Sequence, residues 1–308
     1  MAFTAKDVQA LREKTGVGMM DCKKALTEAD GDFDRAVDIL RERGLAAATK
    51  KAGRITAEGV VLAVFDEASK VAVLVEVNSE TDFVGKNAEF QSFVADIAKT
   101  VREENPADVD ALLACKLSGA DRSVEEMRQE KVLSIGENLS IRRFVRLEGN
   151  AATYVHGGGS MGVLVEFATD DATAGSDAFK AMGKDIAMQV AAMGALYLDK
   201  SSVPADVVEH EKGILLAQIA EDPKMANKPE KVLAGIVQGK LGKYYSEFCL
   251  LEQPFVKDED LTVAAYIAKV AKALGASIEA TGFTRYVKGE NMQKKEDDFA
   301  AEVAKMIQ

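Results

Sequence analysis

An internal repeat constrains the fold of this chain more than any other feature. Residues 58–101 and 148–190 are two divergent copies of one unit, which share a Glu-Gly pair, an apolar strand pattern and a helical spacing of apolar residues. The matching positions are Glu58-Gly59 with Glu148-Gly149, residues 73–77 with residues 163–167, and Phe90, Phe93, Ile97 and Val101 with Phe179, Met182, Ile186 and Val190. Positions that stay apolar in both copies are those that a duplicated core has to fill. The repeat therefore predicts two similar units, each with its own core.

Each copy has the periodicity of a three-stranded antiparallel sheet with helices on one face, which places the chain in the α+β class. In the first copy, strands are predicted at residues 59–65, 71–77 and 141–147, and helices at 87–101 and 124–135. In the second copy, strands are predicted at residues 151–155, 161–167 and 283–287, and helices at 177–193 and 263–274. The last strand of the second copy lies far downstream because a helical segment is inserted before it.

Three short helices are predicted before the repeat, and together they predict a compact bundle. Thr4 and Asp7 form a capping pattern for the first helix, and the second helix covers residues 19–28. Gly44 is predicted to end the third helix. Residues 45–54 have the composition of a helical tail or linker.

Two further helices interrupt the second copy and predict an antiparallel hairpin. A turn between Pro223 and Pro229 joins them, and downstream of the sheet Asp298 can cap a short C-terminal helix. The predicted units are an N-terminal helical bundle at residues 1–55, a first core unit at 56–147, a second core unit at 148–288 that the hairpin interrupts at about 195–247, and a C-terminal module at 289–308.

The composition argues against several classes of function. A net charge of −11 disfavours direct contact with nucleic acid, which requires a local basic stripe. No segment is apolar over the length of a membrane span, and no apolar run of a signal peptide follows the first residues. The three cysteines lie far apart without the spacing of metal ligands. We therefore expect reduced thiols, no metal and a cytoplasmic protein that does not contact a membrane.

Little in the sequence supports an enzyme. The two histidines, His156 and His210, lie far apart, and no motif gives either of them a nucleophile or a carboxylate partner. Residues 157–160 (Gly-Gly-Gly-Ser) have the glycine content of a phosphate-binding loop, but they lack the Gly-Lys-Ser/Thr ending and join two strands. A hairpin turn explains these glycines better. A hydrolase centred on His156 is a competing hypothesis that no sequence feature favours.

The segment Thr81-Asp82-Phe83-Val84 is the strongest candidate for contact with another protein. The second copy has a small side chain in place of Phe83, so the shared core does not require an aromatic residue there. The alternative is that Phe83, seven residues before Phe90, lies on the same helical stripe and belongs to the core. Met19 and Met20 leave a similar choice, for which the core of the bundle is the more usual answer.

Three segments of the chain resemble one protein family. They are residues 11–26 (LREKTGVGMMDCKKAL), Thr81-Asp82-Phe83-Val84, and Ile135-Gly136-Glu137-Asn138 together with Ile141-Arg142-Arg143. These segments closely resemble bacterial translation elongation factor Ts, and the resemblance covers essentially the whole chain. It implies a ubiquitin-associated-like N-terminal helical bundle, a duplicated α+β core, a helical hairpin for dimer contacts and a short C-terminal module.

The resemblance also implies a function that needs no cofactor and no enzymatic chemistry. Members of this family act as guanine nucleotide exchange factors for elongation factor Tu, so the implied partner is that GTPase with GDP bound or without nucleotide. Phe83 would wedge into the GTPase domain and disturb its magnesium and phosphate site, with Asp82 as a polar companion. Thr81 and Val84 would shape the loop.

Further partner contacts follow from the same resemblance. They are Arg12, Met19, Met20 and Lys23 on the bundle, Ile135 and Gly136 beside the wedge, and His156 and Val256 toward a distal domain of the partner. Lys257 stands where the family has an apolar residue. A homodimer through the hairpin is left open, and the alternative function is a scaffold whose bundle binds peptides or ubiquitin-like folds.

Overall fold

The computed structural model of the chain describes residues 3–221 and 229–293. It has the mixed helix and strand architecture that the sequence predicts, with two three-stranded antiparallel sheets. The predicted terminal helix that begins at Asp298 lies outside the described residues, and so does Pro223 in the predicted turn of the hairpin.

Three helices form the N-terminal bundle. Thr4 and Asp7 make the predicted capping box at the start of the first helix, and Gly16 ends this helix in the left-handed conformation. Asp32 caps the third helix with its side chain. The helices are α1 (Ala5–Thr15), α2 (Met19–Glu28) and α3 (Phe33–Lys51). Their shared core includes the buried side chains of Leu11, Cys22, Leu26, Ile39 and Leu40.

The prediction that Gly44 ends α3 is wrong, because this helix continues to Lys51. A Cβ atom at position 44 would lie 3.3 Å from the carbonyl oxygen of Gln129 in a neighbouring helix. Glycine therefore allows two helices to pack closely, and this packing outweighs a helix propensity about 1 kcal/mol poorer than that of alanine. Most of the predicted tail is the last part of α3, which delivers Ala48 to the core beside the first sheet.

The first sheet has the strand order β1-β2-β3, and all four helices of this unit lie between β2 and β3 in the chain. Its strands are β1 (Glu58–Asp66), β2 (Val71–Ser79) and β3 (Leu139–Glu148), and its helices are α4 (Asp82–Gly85), α5 (Ala88–Glu104), α6 (Val109–Ala114) and α7 (Val124–Ile135). The long helix α5 buries Phe90, Phe93 and Ile97 against the sheet.

The second sheet repeats this topology with the order β4-β5-β8. Its strands are β4 (Asn150–His156), β5 (Met161–Ala168) and β8 (Glu279–Val287), and its helices are α8 (Asp171–Gly175), α9 (Asp177–Met193) and α12 (Val263–Leu274). A register shift follows Glu76 in the first sheet and Glu166 in the second. These residues occupy equivalent positions in the repeat, so the two copies share a bulge as well as their strand order.

The two sheets pack against each other on the faces that the helices leave free. Val61 and Leu74 of the first sheet meet Leu164 of the second in one buried cluster. A Cβ atom at Gly162 would lie 2.6 Å from Val61 Cγ1 and 2.7 Å from Leu74 Cδ1, so glycine sets how closely the sheets approach. Helices, sheet, sheet and helices therefore form successive layers.

Two helices inserted into the second copy form an antiparallel pair with its own small core. They are α10 (Ala205–Ala220) and α11 (Glu230–Phe248), and Leu215, Ile219, Val237 and Leu241 are buried between them. Association of two copies through this pair stays a prediction. A short helical turn (Leu250–Glu252) and a two-stranded ribbon, β6 (Pro254–Phe255) and β7 (Asp258–Thr262), follow α11 and were not predicted.

Candidate protein-binding site

The single turn α4 follows β2 and carries the aromatic side chain that the repeat comparison singles out. β2 ends at Ser79, and Thr81 has an extended backbone before α4 begins at Asp82. Within this turn Val84 is only 7% exposed, whereas Phe83 keeps 78% of its surface accessible. The alternative that Phe83 belongs to the core is therefore wrong. Its ring projects from the surface as a large apolar group.

A close contact between two glycines sets how near α4 lies to β1, and α4 and α5 are separate helices. A Cβ atom at Gly85 would lie 2.9 Å from the carbonyl oxygen of Gly59, so a side chain at this position would push the turn away from β1. The chain then leaves α4, and Asn87 caps α5 with its side chain. Because the two helices are separate, Phe83 does not lie on the buried stripe that includes Phe90.

A glutamate from the other end of the first unit holds the start of α4. The backbone N–H of Thr81 donates to Glu137 Oε2 at 3.0 Å, and the Thr81 hydroxyl donates to Glu137 Oε1 at 2.6 Å. The hydroxyl of Ser79 donates to the Thr81 carbonyl oxygen at 2.9 Å. Three hydrogen bonds to two residues, Glu137 and Ser79, therefore fix the residue immediately before Asp82 and Phe83.

The segment that contains Glu137 is itself attached to the end of α3. The backbone N–H of Asn138 donates to Glu80 Oε1 at 2.6 Å, and the Asn138 side-chain amide donates to the carbonyl oxygen of Arg54 at 3.1 Å. Lys51 donates to the carbonyl oxygen of Gly136. Contacts from the bundle therefore reach the aromatic turn through the segment that follows α7.

Charged groups flank the Phe83 ring. Lys86 Nζ lies 2.9 Å from Asp82 Oδ2 and 5.9 Å from the centroid of the ring. The hydrogen bond from Lys86 is the main cause that holds the pKa of Asp82 below its usual range. Asp82 is therefore a carboxylate at neutral pH, and it presents a negative charge beside an exposed aromatic ring.

The bundle presents all four of its predicted contact residues at the surface. Arg12 and Lys23 are exposed, and so are Met19 and Met20, at 40% and 62%. The expectation that the two methionines belong to the core is wrong, because Cys22 and two residues one turn further along α2 fill the buried face of this helix. Two exposed methionines on one helical turn form an adaptable apolar surface.

Contacts at the end of α1 bring the loop before Met19 close to α5. A Cβ atom at Gly16 would lie 3.3 Å from Glu89 Oε1, in the first turn of α5. The same oxygen accepts hydrogen bonds from Lys131 at 2.8 Å and Ser134 at 3.2 Å. Because α5 directly follows α4, this arrangement places the loop before Met19 next to the element that begins just after the aromatic turn.

Ile135 and Gly136 end α7 immediately before the glutamate that binds Thr81. Ile135 is half-buried, and Gly136 is exposed with a left-handed φ of +88°. Glycine adopts this conformation without strain and so allows the chain to turn from the helix toward Thr81. The two predicted contact residues therefore lie beside the start of α4.

His156 lies at the start of the glycine-rich turn between β4 and β5. The three glycines all have positive φ angles, so the hairpin-turn prediction is confirmed. The carbonyl oxygen of Gly159 accepts from the backbone N–H of Val61 at 2.8 Å, which anchors the turn on the strand that also contacts α4. The exposed ring of His156 has the Tyr154 hydroxyl 3.0 Å from its Nδ1.

Val256 lies at the tip of the β6–β7 ribbon and is 42% exposed. The fully buried Gln189 of α9 holds this ribbon: its side chain accepts from the backbone N–H of Val256 at 2.9 Å and donates to the carbonyl oxygen of Pro254 at 3.0 Å. Lys257 lies 2.6 Å from Asp185 in an ion pair at the surface. Val256 thus belongs to a separate part of the second copy.

Other kinds of site find little support in the part of the chain that the structure describes. No group of three or more His, Cys, Asp or Glu side chains is arranged there to hold a metal ion. Within residues 3–221 and 229–293, no helix combines the length and the apolar character needed to cross a bilayer.

Sequence reasoning missed the residues that hold the aromatic turn in place. Glu137 belongs to one of the three segments that carry the family resemblance, but no pattern in the sequence pairs it with Thr81, 56 positions away. Glu80, Lys51 and Arg54 were missed for the same reason. A bound side chain so distant in the sequence is visible only once the fold is known.

Comparison with known proteins places the sequence of this chain among relatives of one family. A family model described as elongation factor TS matches residues 80–290. Elongation factor Ts of Trichlorobacter lovleyi is 48% identical over 309 residues, which cover 99% of this chain and 98% of the relative. The proteins of the same name from Syntrophotalea carbinolica and Clostridium perfringens are 47% and 46% identical, each with 99% of both chains covered. These matches extend over nearly the whole chain, and we conclude that it belongs to the elongation factor Ts family.

Proposed function

We propose that this protein binds elongation factor Tu and accelerates the release of GDP by inserting Phe83 into the GTPase domain. Family membership supports nucleotide exchange in general. The observation that carries the finer proposal is the 78% exposure of Phe83 on a short turn whose first residue is bound by a distant glutamate. An exposed aromatic ring on a fixed backbone has the properties of an anchor residue in a protein interface.

The energetic argument needs no covalent step. An exchange factor that binds the nucleotide-free GTPase more tightly than the GDP-bound form must lower the affinity for GDP by the same factor. Burying a phenylalanine side chain provides about 1.5–3 kcal/mol, which corresponds to roughly ten- to a hundredfold in an equilibrium constant. If the ring is buried only where the partner's nucleotide site is open, this free energy favours the empty form.

The charges beside the ring extend this proposal to the magnesium site. A GTPase holds its nucleotide through a phosphate loop and a Mg²⁺ ion, and both depend on the position of a few side chains. Asp82 brings a carboxylate next to Phe83, with Lys86 2.9 Å from it. We propose that the ring displaces partner groups near the ion and that Asp82 contacts the polar groups so exposed. Thr81 and Val84 fix the backbone on either side.

Two further surfaces extend the proposed interface. On the bundle, Arg12, Met19, Met20 and Lys23 are exposed, and the loop before Met19 lies beside the N-terminus of α5. Ile135 and Gly136 adjoin the aromatic turn. His156 and Val256 belong to the second copy, and we propose that they contact a part of the partner outside its GTPase domain.

The decisive experiment uses elongation factor Tu loaded with a fluorescent GDP analogue. Release is followed after addition of excess unlabelled GDP, with this protein varied from nanomolar to micromolar concentration. We expect a release rate that rises with concentration and then saturates. No acceleration at micromolar protein would contradict the proposal, and binding without faster release would support the scaffold alternative.

A further inference from the structure

We propose that Glu137 is a positioning residue that holds the segment Thr81–Gly85 in the conformation that projects Phe83. This inference rests on the proposed function for its consequence in exchange, but its structural part can be measured in the free protein. Glu137 binds Thr81 twice, at 3.0 Å to the backbone N–H and at 2.6 Å to the hydroxyl. Each bond involves a charged acceptor, which makes it stronger than a neutral hydrogen bond.

The first observation is that α4 lacks the cap that a threonine normally provides. Thr81 occupies the N-cap position, where a threonine hydroxyl usually accepts a hydrogen bond from a backbone N–H of the first turn. Its side chain makes no such bond here, because the hydroxyl is directed to Glu137. A helix of one turn without a cap has little stability of its own. Contacts from outside the turn therefore have to hold it.

The second copy of the repeat provides the comparison. Asp170 occupies the N-cap position of α8, and its side chain accepts from the backbone N–H of Thr173 at 2.9 Å. This cap is local and needs no distant residue. The first copy thus replaces a local cap by a bond to Glu137, and it is the copy whose turn exposes an aromatic ring.

The third observation is that hydrogen bonds hold the residues on both sides of Glu137. Gly136 ends α7 in the left-handed conformation, and Lys51 binds its carbonyl oxygen. The next residue, Asn138, is 5% exposed and binds both Glu80 and the backbone of Arg54. Because the backbone on both sides of Glu137 is held, its carboxylate can fix Thr81. A carboxylate on a mobile loop would move together with Thr81 and could not fix it.

The test compares Glu137→Ala with wild type, with Glu148→Ala as the matched control. Glu148 is an exposed glutamate, paired with Arg146 at 2.6 Å and outside the proposed interface. Hydrogen exchange of the peptide that covers residues 79–86 is measured in the free protein. We expect about tenfold faster exchange at Thr81 and in the turn for Glu137→Ala, but no change in the control. Unchanged exchange in Glu137→Ala would overturn the inference, whatever the protein does to GDP release.

Nucleotide release then separates positioning from general damage. Glu137→Ala is expected to lower the maximal rate of GDP release about tenfold, whereas Thr81→Val, which keeps the backbone N–H, has a smaller effect. Phe83→Leu keeps an apolar side chain but removes the aromatic ring. In this background, Glu137→Ala should lower the maximal rate of GDP release by a much smaller factor than it does in the wild type. If the losses in release rate caused by Glu137→Ala and Phe83→Leu were fully additive, Glu137 would not act through Phe83. Failure of the wild type to accelerate release would instead contradict the proposed function.

Discussion

Glu76 binds Arg143 through a hydrogen bond of 2.7 Å from Arg143 Nε, although the Glu76 carboxylate is completely buried. Arg142 donates to the same carboxylate at 3.0 Å, and so does the backbone N–H of Gly289 at 2.8 Å. Gly289 follows the last strand of the second sheet. Glu76 therefore ties the end of the second copy to the middle of β2, the strand that leads to α4.

Replacement of Glu76 should destabilise the protein strongly. Glu76→Gln removes the buried negative charge that pairs with the partly buried Arg142 and Arg143, and we expect a loss of about 3 kcal/mol in the free energy of unfolding at pH 7. The measurement is chemical denaturation. The matched control is Glu166→Gln at the equivalent bulge, because none of the ion pairs among the described residues includes Glu166.

The two glutamates should also differ in their dependence on pH. Burial is the largest influence on the pKa of Glu76 and raises it, but hydrogen bonds from Gly289, Asn78 and the arginines together outweigh burial, so the pKa lies below the ordinary 4.5. Its stabilising contribution is therefore present above pH 4.5 and is lost as the pH falls through the lowered pKa. The loss in the free energy of unfolding caused by Glu76→Gln should therefore become smaller as the pH is lowered. A deficit independent of pH would contradict this explanation.

Burial alone raises the pKa of Glu166. The contribution of this control residue to stability therefore depends on pH in the opposite direction to that of Glu76. A raised pKa favours the folded state below the ordinary value of 4.5, and this advantage is lost as the pH rises through the folded-state pKa. At pH 7 the Glu166→Gln variant should therefore be as stable as the wild type or slightly more stable. A loss comparable to that of Glu76→Gln would contradict the assignment of the ion pair as the cause.

The contact between Gly85 and Gly59 predicts a steric effect on the aromatic turn. In Gly85→Ala the new methyl group would meet the Gly59 carbonyl oxygen at 2.9 Å, so α4 has to move away from β1. We expect a loss of about 1–3 kcal/mol in stability and slower GDP release. Denaturation and the fluorescent release assay measure the two effects.

Gly175 provides the control for this steric argument. It is the last residue of α8, as Gly85 is of α4, but a Cβ atom there would have no neighbour within 4 Å. Gly175→Ala should leave stability unchanged or raise it by about 0.5 kcal/mol, since alanine reduces the freedom of the unfolded chain. Equal losses in both variants would show that the close contact is not the cause.

Local patterns predicted most elements because each copy buries a regular apolar face. The predicted helices at residues 19–28, 124–135, 177–193 and 263–274 have the bounds that the structure shows. Gly44 was misread because a glycine inside a helix looks like a stop signal until the neighbouring helix is known. The β6–β7 ribbon was missed, since its seven strand residues have little alternation.

The candidate site, like the fold, could be predicted from the sequence only in part. The comparison of the two copies separated Phe83 from the core, and its exposure agrees. The expectation that Met19 and Met20 lie in the core was wrong, because Cys22, Ala25 and Leu26 fill the buried face of α2 without them. The bond between Thr81 and Glu137 depends on how the chain leaves the end of α7, and no local pattern in the sequence predicts it.

The buried side chain of Gln189 binds the backbone of the ribbon that carries Val256. Gln189→Leu would leave the backbone N–H of Val256 and the carbonyl oxygen of Pro254 without the partners that they have at 2.9 Å and 3.0 Å. A fully buried polar group left unpaired costs about 1–3 kcal/mol, and these two groups are only partly buried. We therefore expect a loss of about 1–2 kcal/mol in the free energy of unfolding, measured by denaturation. Binding to elongation factor Tu should weaken as well.

A change at Lys257 should have little effect in comparison. Its ion pair with Asp185 is 2.6 Å long, but the lysine side chain is 54% exposed, and such surface pairs contribute less than about 1 kcal/mol. Lys257→Met also supplies the apolar residue that the family resemblance implies at this position. If Lys257→Met lowered stability as much as Gln189→Leu, the ion pair would hold the ribbon as strongly as the buried glutamine does.

Phe83→Ala should separate function from stability more clearly than any other single change. The ring is 78% exposed and Lys86 Nζ lies 5.9 Å from its centroid, so the free energy of unfolding should change by less than about 0.5 kcal/mol. If the ring is buried in the partner, its loss should slow GDP release roughly tenfold or more. Leu216→Ala, which truncates a side chain of α10 that is 51% exposed, provides the control for loss of an exposed apolar group. An unchanged release rate in Phe83→Ala, with normal folding, would remove Phe83 from the exchange mechanism.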